Sequence, residues 1–289
     1  MAANWGILGI AAAFYLGFKN NSSYDRTSWE ARKIWGSIVN NSRSFAAAVV
    51  SFVQTEDPNK TAQIKRILIH RHVAWLTALR YQMRLSKEWE HVFRRVKGLY
   101  IPTICEDYFQ KSNTNSPEFL TEEEISSVLK KSNMATQILA LQSESLQTLR
   151  DDDCFDDFRH MEFQRLISEL YNDQGKSERI KNFPFPRQYA STALWTTLVF
   201  CILLPFGLLN TFAQEESWMA WMTIPFSALI TWIFFLMEKI GDYSENPFEG
   251  TYNDVPITSI AKGIEIDIRE MINDTNIPKP IENQNGFLM

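Results

Sequence analysis

The stretch GILGIAAAFYLGFKNNSSYDRTSWEARKIWG, residues 6–36, begins almost at the first methionine with the apolar composition of a membrane-spanning helix. Two rows of residues recur within it at every fourth position, and residues with this spacing share one face of a helix. One row is bulky and apolar and consists of Ile10, Phe14 and Phe18. The adjacent row is small and consists of Gly9, Ala13 and Gly17. Small residues at this spacing allow membrane helices to approach each other closely.

The bulky row has two interpretations. If several copies of the chain pack through the small row around an axis, the bulky row lines a narrow apolar constriction, of the kind that gates pores by dewetting. Alternatively, the bulky row faces lipid and the small row packs on a neighbouring helix. The pattern alone favours the second interpretation.

Two later segments have the length and composition of membrane spans. Residues 188–214 and 217–237 contain no Asp, Glu, Lys or Arg, and roughly 20 apolar residues suffice to cross the hydrocarbon of a bilayer. The mean hydropathy of −0.22 is low because the rest of the chain is polar. No strand-rich region is visible, so the sequence predicts an all-α integral membrane protein that has the lipid bilayer as a partner.

The distribution of Lys and Arg predicts the orientation of the spans, because positive charges collect on the cytosolic side. Lys19 and Arg26 follow the first apolar segment, Lys181 and Arg187 precede the second, and the connection 211–217 has neither residue type. We therefore expect a multi-pass protein of the inner or plasma membrane, with the bulk of its soluble part in the cytosol. The predicted parts are a transmembrane helix (1–18), a cytosolic helical domain (19–187), two transmembrane helices with a short external loop (188–238), and a cytosolic helix with a C-terminal arm (239–289).

Other classes of function lack their usual motifs. The three cysteines, Cys105, Cys154 and Cys201, are far apart, which predicts neither a disulfide framework nor a CxxC metal site. The net charge of −5 argues against nucleic acid as a partner. The sequence has no Gly-rich phosphate loop, GxSxG or HExxH motif, so nothing indicates an enzyme.

Three blocks of the sequence resemble the bestrophin channels, most closely their bacterial and fungal homologues. They are LGFKNNSSYDRTSWEARKIWG (16–36), FPFPRQYASTALWTTLVFCILLPFG (183–207) and ENPFEGTYNDVPITSIAKGIEIDIREMI (245–272). The middle of the chain, roughly 54–165, matches only in helical character. Bestrophins usually have four transmembrane helices. The predicted orientation places Met1 on the external side of the membrane, and together with the resemblance this implies that the chain begins within the second helix. We expect that a leading span is absent through truncation or a misplaced start.

The resemblance implies a homopentamer whose membrane helices continue into a cytosolic bundle around one axial pore. It assigns the pore neck to Ile10, Phe14 and Phe18 and a lower constriction to Phe185, and so reverses the preference drawn from the pattern alone. Gly9, Ala13 and Gly17 would then pack helices of neighbouring subunits. The family's pore fold requires no cofactor.

The resemblance also raises the question of calcium and of the permeant ion. Animal bestrophins hold calcium near an NPF segment, and Asn246 and Asp254 match that clasp, whereas Thr251 stands where an acidic ligand is expected. Calcium is therefore an alternative that the sequence leaves open. The Phe rings of the neck favour chloride or other anions over cations, because ring edges carry partial positive charge. The alternatives are a cation-selective channel of the same family and a non-conducting membrane scaffold.

Overall fold

The computed structural model describes residues 5–85, 87, 119–183, 186–214, 218–250 and 254–283. The regular structure of these residues is helical, which confirms the all-α prediction for the described part of the chain. The helices are α1 (Trp5–Tyr24), α2 (Ala31–Phe52), α3 (Pro58–Arg84), α4 (Glu122–Leu129), α5 (Met134–Asp151), α6 (Asp157–Asn182), α7 (Arg187–Ala213), α8 (Thr223–Tyr243) and α9 (Ile257–Glu270), with a π-helical segment at Asp25–Glu30 and a 3₁₀ helix at Met219–Met222.

The chain divides into two compact units. The first unit comprises Met1–Glu30 and Phe183–Pro247, and therefore contains α1, α7 and α8. The second unit comprises Ala31–Asn182 and Phe248–Met289, and contains the other helices.

The first unit is built on apolar packing among α1, α7 and α8. Its small core consists of Ala12, Phe200 and Leu204. Within the unit, Gln188–Ala213 and Met219–Asp242 are long and apolar enough to cross a membrane. Only 28% of the most apolar window of the first helix and 11% of that of the second are buried within the structure. Most of this apolar surface therefore needs lipid or another subunit to cover it, because soluble proteins rarely expose large contiguous apolar patches.

The second unit has a larger core of aromatic and aliphatic side chains. Its largest fully buried rings are Trp35, Trp75, Phe45, Phe163 and Phe248. The spacing along α9 shows how the sequence builds this core. Ile257, Ile264 and Ile268 are buried on one face of the helix, while Glu270 is exposed, which is the pattern of an amphipathic helix at the surface of a bundle.

Short-range sequence signals set where helices of the second unit begin. Thr121 and Glu124 form a reciprocal capping box at the start of α4, in which each side chain accepts a hydrogen bond from the backbone N–H of the other. The Asp57 side chain accepts from the N–H of Asn59 ahead of α3, and Pro58 fits the first turn, where its missing donor is not needed.

Candidate functional site

Helix α1 has two faces of opposite character. The face that packs within the first unit carries the buried residues Ala12, Leu16, Lys19 and Ser23. The face about 190° away, on an ideal helix of 3.6 residues per turn, carries Ile10, Phe14 and Phe18, which are 72%, 68% and 61% exposed. The structure therefore brings the three predicted neck residues together as one exposed row.

The exposed row is continuous and purely apolar. It spans about 12 Å at 1.5 Å per residue, and the rings of Phe14 and Phe18 lie with centroids 4.6 Å apart at 71°, an edge-to-face contact. In this geometry the partially positive edge of one ring meets the partially negative face of the other. The row can contact lipid or, in an assembly, line an apolar constriction.

The small row lies on a flank of the same helix, but its members differ in their surroundings. A Cβ on Gly9 would meet the ring of Phe200 at 3.0 Å, so Gly9 provides the space for α7 inside the chain. Ala13 is half-buried, and Gly17 is exposed with no other group within 4 Å of where its Cβ would be. Only Ala13 and Gly17 therefore leave open surface on which a second copy can pack closely.

The predicted lower constriction cannot be placed, because Phe185 lies outside the described residues. Its role stays a prediction. The neighbouring Phe183 is 67% exposed.

One of the two candidate calcium ligands, Asp254, has a carboxylate that accepts hydrogen bonds within its own unit. Asn246 belongs to the first unit and Asp254 to the second. Oδ1 of Asp254 accepts from the backbone N–H of Phe248 (2.9 Å) and of Val255 (2.7 Å). Its Oδ2 accepts from the N–H of Gly250 (2.8 Å) and from Arg84 (2.9 Å). A carboxylate surrounded by four N–H donors has the partners of a bound anion, whereas calcium requires oxygen ligands with free lone pairs.

The turn at residues 248–250 has the geometry of an anion-binding turn, and the chain's own Asp254 carboxylate occupies it. Phe248 and Gly250 both have positive φ angles, 67° and 82°, and backbone N–H groups that converge in such turns make a site for negative charge. Thr251 lies outside the described residues. In the part of the chain that the structure describes, no three His, Cys, Asp or Glu side chains gather as a metal site would need. Calcium at Asn246 and Asp254 therefore has no support from this geometry.

Sequence reasoning did not find the buried partner of Asp254. Arg84 is 170 residues away along the chain, and both side chains are almost fully buried, with 0% and 1% of their surface exposed. No local sequence pattern predicts such a pair. The sequence pointed to Asp254 only as a candidate calcium ligand.

Comparisons with known proteins point to one family. A family model described as "Bacterial/Fungal Bestrophin protein" matches residues 1–270. The voltage-dependent anion channel-forming protein YneE of Escherichia coli K12 is 29% identical over 279 residues, which cover 96% of this chain and 79% of that protein. The voltage-dependent anion channel-forming protein RSc3414 of Ralstonia nicotianae is 28% identical over 94% of this chain and 78% of its own length.

A solved structure shares the fold. The crystal structure of a bacterial bestrophin homologue from Klebsiella pneumoniae superposes with a TM-score of 0.77 and covers 94% of this chain and 87% of that one. At 24% sequence identity this likeness concerns the arrangement of the helices and not the activity.

Proposed function

The chain belongs to the bacterial/fungal bestrophin family, and from this premise we propose that it forms a passive anion channel whose neck is lined by Ile10, Phe14 and Phe18. The observation that carries the proposal is the exposed apolar row on the face of α1 opposite to its packing face. The names of its relatives, which describe voltage-dependent anion channel-forming proteins, support anions as the permeant species.

The proposed assembly is a homopentamer with one α1 from each subunit around the axis. Ala13 and Gly17 flank the apolar row and leave room for the next α1 helix, and small residues of this kind are typical of close helix contacts in membranes. The helices Gln188–Ala213 and Met219–Asp242 cross the bilayer in this assembly. The polar bulk of the chain faces the cytosol, on the side where Lys and Arg are concentrated.

The chemistry of the neck is compatible with a partly dehydrated anion. The side chains of Phe14 and Phe18 are exposed, and ring edges turned toward the axis would present partial positive charge to the ion. An apolar neck contains no fixed charge that would hold an ion, so conduction is passive and is limited by wetting of the constriction. Chloride is the permeant anion that we expect under physiological conditions.

The first test compares two substitutions of equally exposed phenylalanines. Phe14→Ala removes a ring from the proposed neck, whereas Phe206→Ala removes a ring from α7 that is 65% exposed, nearly the 68% of Phe14. In planar bilayers with purified protein, we expect Phe14→Ala to raise the current by widening and wetting the neck, and Phe206→Ala to leave it near that of the wild type. If neither the wild type nor Phe14→Ala carries current, the proposal that the chain forms a channel is refuted.

A second test separates the channel from a non-conducting scaffold. We expect Ile10→Cys, Phe14→Cys and Phe18→Cys to react with water-borne thiol reagents, because a pore is filled with water. Cysteine at the buried positions Ala12 and Leu16 should not react. A scaffold with its apolar row in lipid would protect all five positions.

The permeant ion is identified by the reversal potential in a chloride salt gradient. An anion channel reverses near the equilibrium potential of chloride, and a cation channel reverses near that of the cation. The second outcome would keep the family and the pore but overturn the anion proposal.

A further inference from the structure

A buried ion cluster lies at the C-terminal end of α1. Lys19, Glu238 and Glu245 are 2%, 3% and 4% exposed. The Nζ of Lys19 lies 3.3 Å from Oε1 of Glu238 on α8 and 3.0 Å from Oε1 of Glu245 in the turn that follows α8. One ammonium group therefore ties the end of α1 to two points at the end of α8.

Two neighbouring contacts fix the same pair of helices. The side-chain amide of Asn20 donates to the carbonyl of Met237 at 2.8 Å. Gly241 lies against Asn20 so closely that a Cβ at this position would collide with Oδ1 of Asn20 and would lie 3.6 Å from Cε of Lys19. The glycine thus permits a close approach of α8 to α1 at the level of the ion cluster.

Burying these charges between two helices has a large free-energy cost. Removing an ion pair from water costs several kcal/mol per ion, and well-packed apolar residues often stabilise as well or better. The cost is visible at Glu245, because burial raises the pKa of its carboxyl even though the ammonium of Lys19 acts in the opposite direction. In some proteins, buried polar contacts of this type specify one position of a helix.

The position of the cluster connects it to the neck. Lys19 directly follows Phe18, and the two side chains leave α1 on different sides: Lys19 is buried against α8, and Phe18 is 61% exposed. Any rotation or shift of this turn of α1 that breaks the Lys19 contacts also moves the Phe18 ring.

We propose that Lys19 is a positioning residue for conduction, which through Glu238 and Glu245 fixes the turn of α1 around Lys19 and thereby the place of the Phe18 ring in the neck. This inference rests on the proposed function of the apolar row. Lys19 does not touch the permeating ion in this arrangement and acts only through the helix that carries Phe18.

The test breaks the cluster, rebuilds it, and compares it with a surface ion pair. Lys19→Met removes the charge but keeps most of the aliphatic stem. The double variant Lys19→Glu/Glu238→Lys restores one positive and two negative groups in exchanged places. Lys262→Met is the matched control, since Lys262 also pairs with a glutamate, at 2.8 Å, but with 30% of its side chain exposed.

Two readouts are needed. The first is anion flux per reconstituted protein in liposomes. The second is the rate at which Phe18→Cys reacts with a water-borne thiol reagent, in a background whose native cysteines are replaced by serine. We expect Lys19→Met to change both by roughly tenfold, the equivalent of about 1.4 kcal/mol. The exchanged pair should recover most of the change, and Lys262→Met should match the wild type.

A merely structural role gives a different result. If Lys19→Met lowers the melting temperature while the flux per folded protein and the reaction rate at position 18 stay at the wild-type values, the positioning role is wrong. If the wild type itself carries no anion flux, the proposed function fails. In that case the thiol reaction rate at position 18 tests whether Lys19 positions the Phe18 ring. A changed rate in Lys19→Met supports this positioning role, and an unchanged rate overturns it.

Discussion

Replacing Arg84 by methionine should be among the most damaging single changes in the second unit. The Arg84 guanidinium donates to Oδ2 of Asp254 at 2.9 Å, and both side chains are withdrawn from water. Arg84→Met removes the charge while keeping much of the side-chain volume, and leaves the Asp254 carboxylate with its backbone donors alone. Breaking a buried ion pair by removing one partner costs about 3–5 kcal/mol. We take about 3 kcal/mol, because the three backbone N–H groups continue to stabilise the carboxylate.

This loss is large enough to measure as a thermal shift. At roughly 2–4 °C for each kcal/mol in a domain of this size, the melting temperature should fall by about 6–12 °C. Thermal unfolding of the protein in detergent, monitored by circular dichroism, measures this shift. Arg43→Met is the matched control: Arg43 also pairs with an aspartate, Asp267, but its side chain is 51% exposed, and exposed pairs contribute at most about 1 kcal/mol. The double variant Arg84→Met/Asp254→Asn should lose less than the sum of its two single variants. Equal melting temperatures for Arg84→Met and Arg43→Met would refute the reasoning.

Three further predictions concern pH and backbone conformation in the second unit. Burial raises the pKa of the Asp274 carboxyl, but hydrogen bonds, led by that from His70, outweigh this effect and lower the pKa to about 2. The folded-state pKa is thus below the unfolded one, so Asp274→Asn should cost roughly 1 kcal/mol at neutral pH after allowance for solvent screening; melting curves should show the difference vanishing as the pH falls from about 4 toward 2. Burial lowers the pKa of His72 to about 3, so the wild type should lose stability as the pH falls from about 6.5 toward 3, by about 2 kcal/mol at pH 5. His72→Phe should remove that part of the acid dependence, and an unchanged pH profile of the melting temperature would contradict it. Gly250→Ala should cost about 1–2 kcal/mol because the φ angle of 82° is left-handed, whereas Gly36→Ala, at an exposed position inside α2, should stabilise by up to about 1 kcal/mol in the same denaturation assay.

Composition and spacing were sufficient for the features that depend on one segment at a time. An uncharged run of more than 20 residues is a candidate membrane span by its length and composition alone, and the spacing of Ile10, Phe14 and Phe18 places them on one face of any helix. That this face is exposed, and that Gly9 faces Phe200 within the chain, required the packing of α1 on α7. The pattern favoured packing of the small row on a neighbouring helix, but it did not indicate which helix this would be.

Pairs that are distant along the chain were beyond sequence reasoning. Lys19 and Glu238 are 219 residues apart. A lysine that follows an apolar segment is expected to extend its ammonium to the membrane interface, and in the sequence Lys19 only marks the cytosolic side of the first span. The structure buries it instead, because two carboxylates lie within reach at the end of α8. A single sequence does not show which of many acidic residues will provide such a partner.

The distribution of side-chain sizes over the first unit supports the proposal that α1, and not α7 or α8, forms the contacts between subunits. The exposed surface of α7 and α8 carries large side chains, among them Trp195, Phe206 and Trp232, which suit disordered lipid chains but keep another helix at a distance. On α1 the exposed bulky row lies beside Ala13 and Gly17, where a backbone can approach closely. A helix that combines a close-contact flank with an exposed apolar row brings the rows of neighbouring copies together when the copies assemble around an axis. If α1 faced lipid instead, no helix would pack closely against the open surface at Gly17.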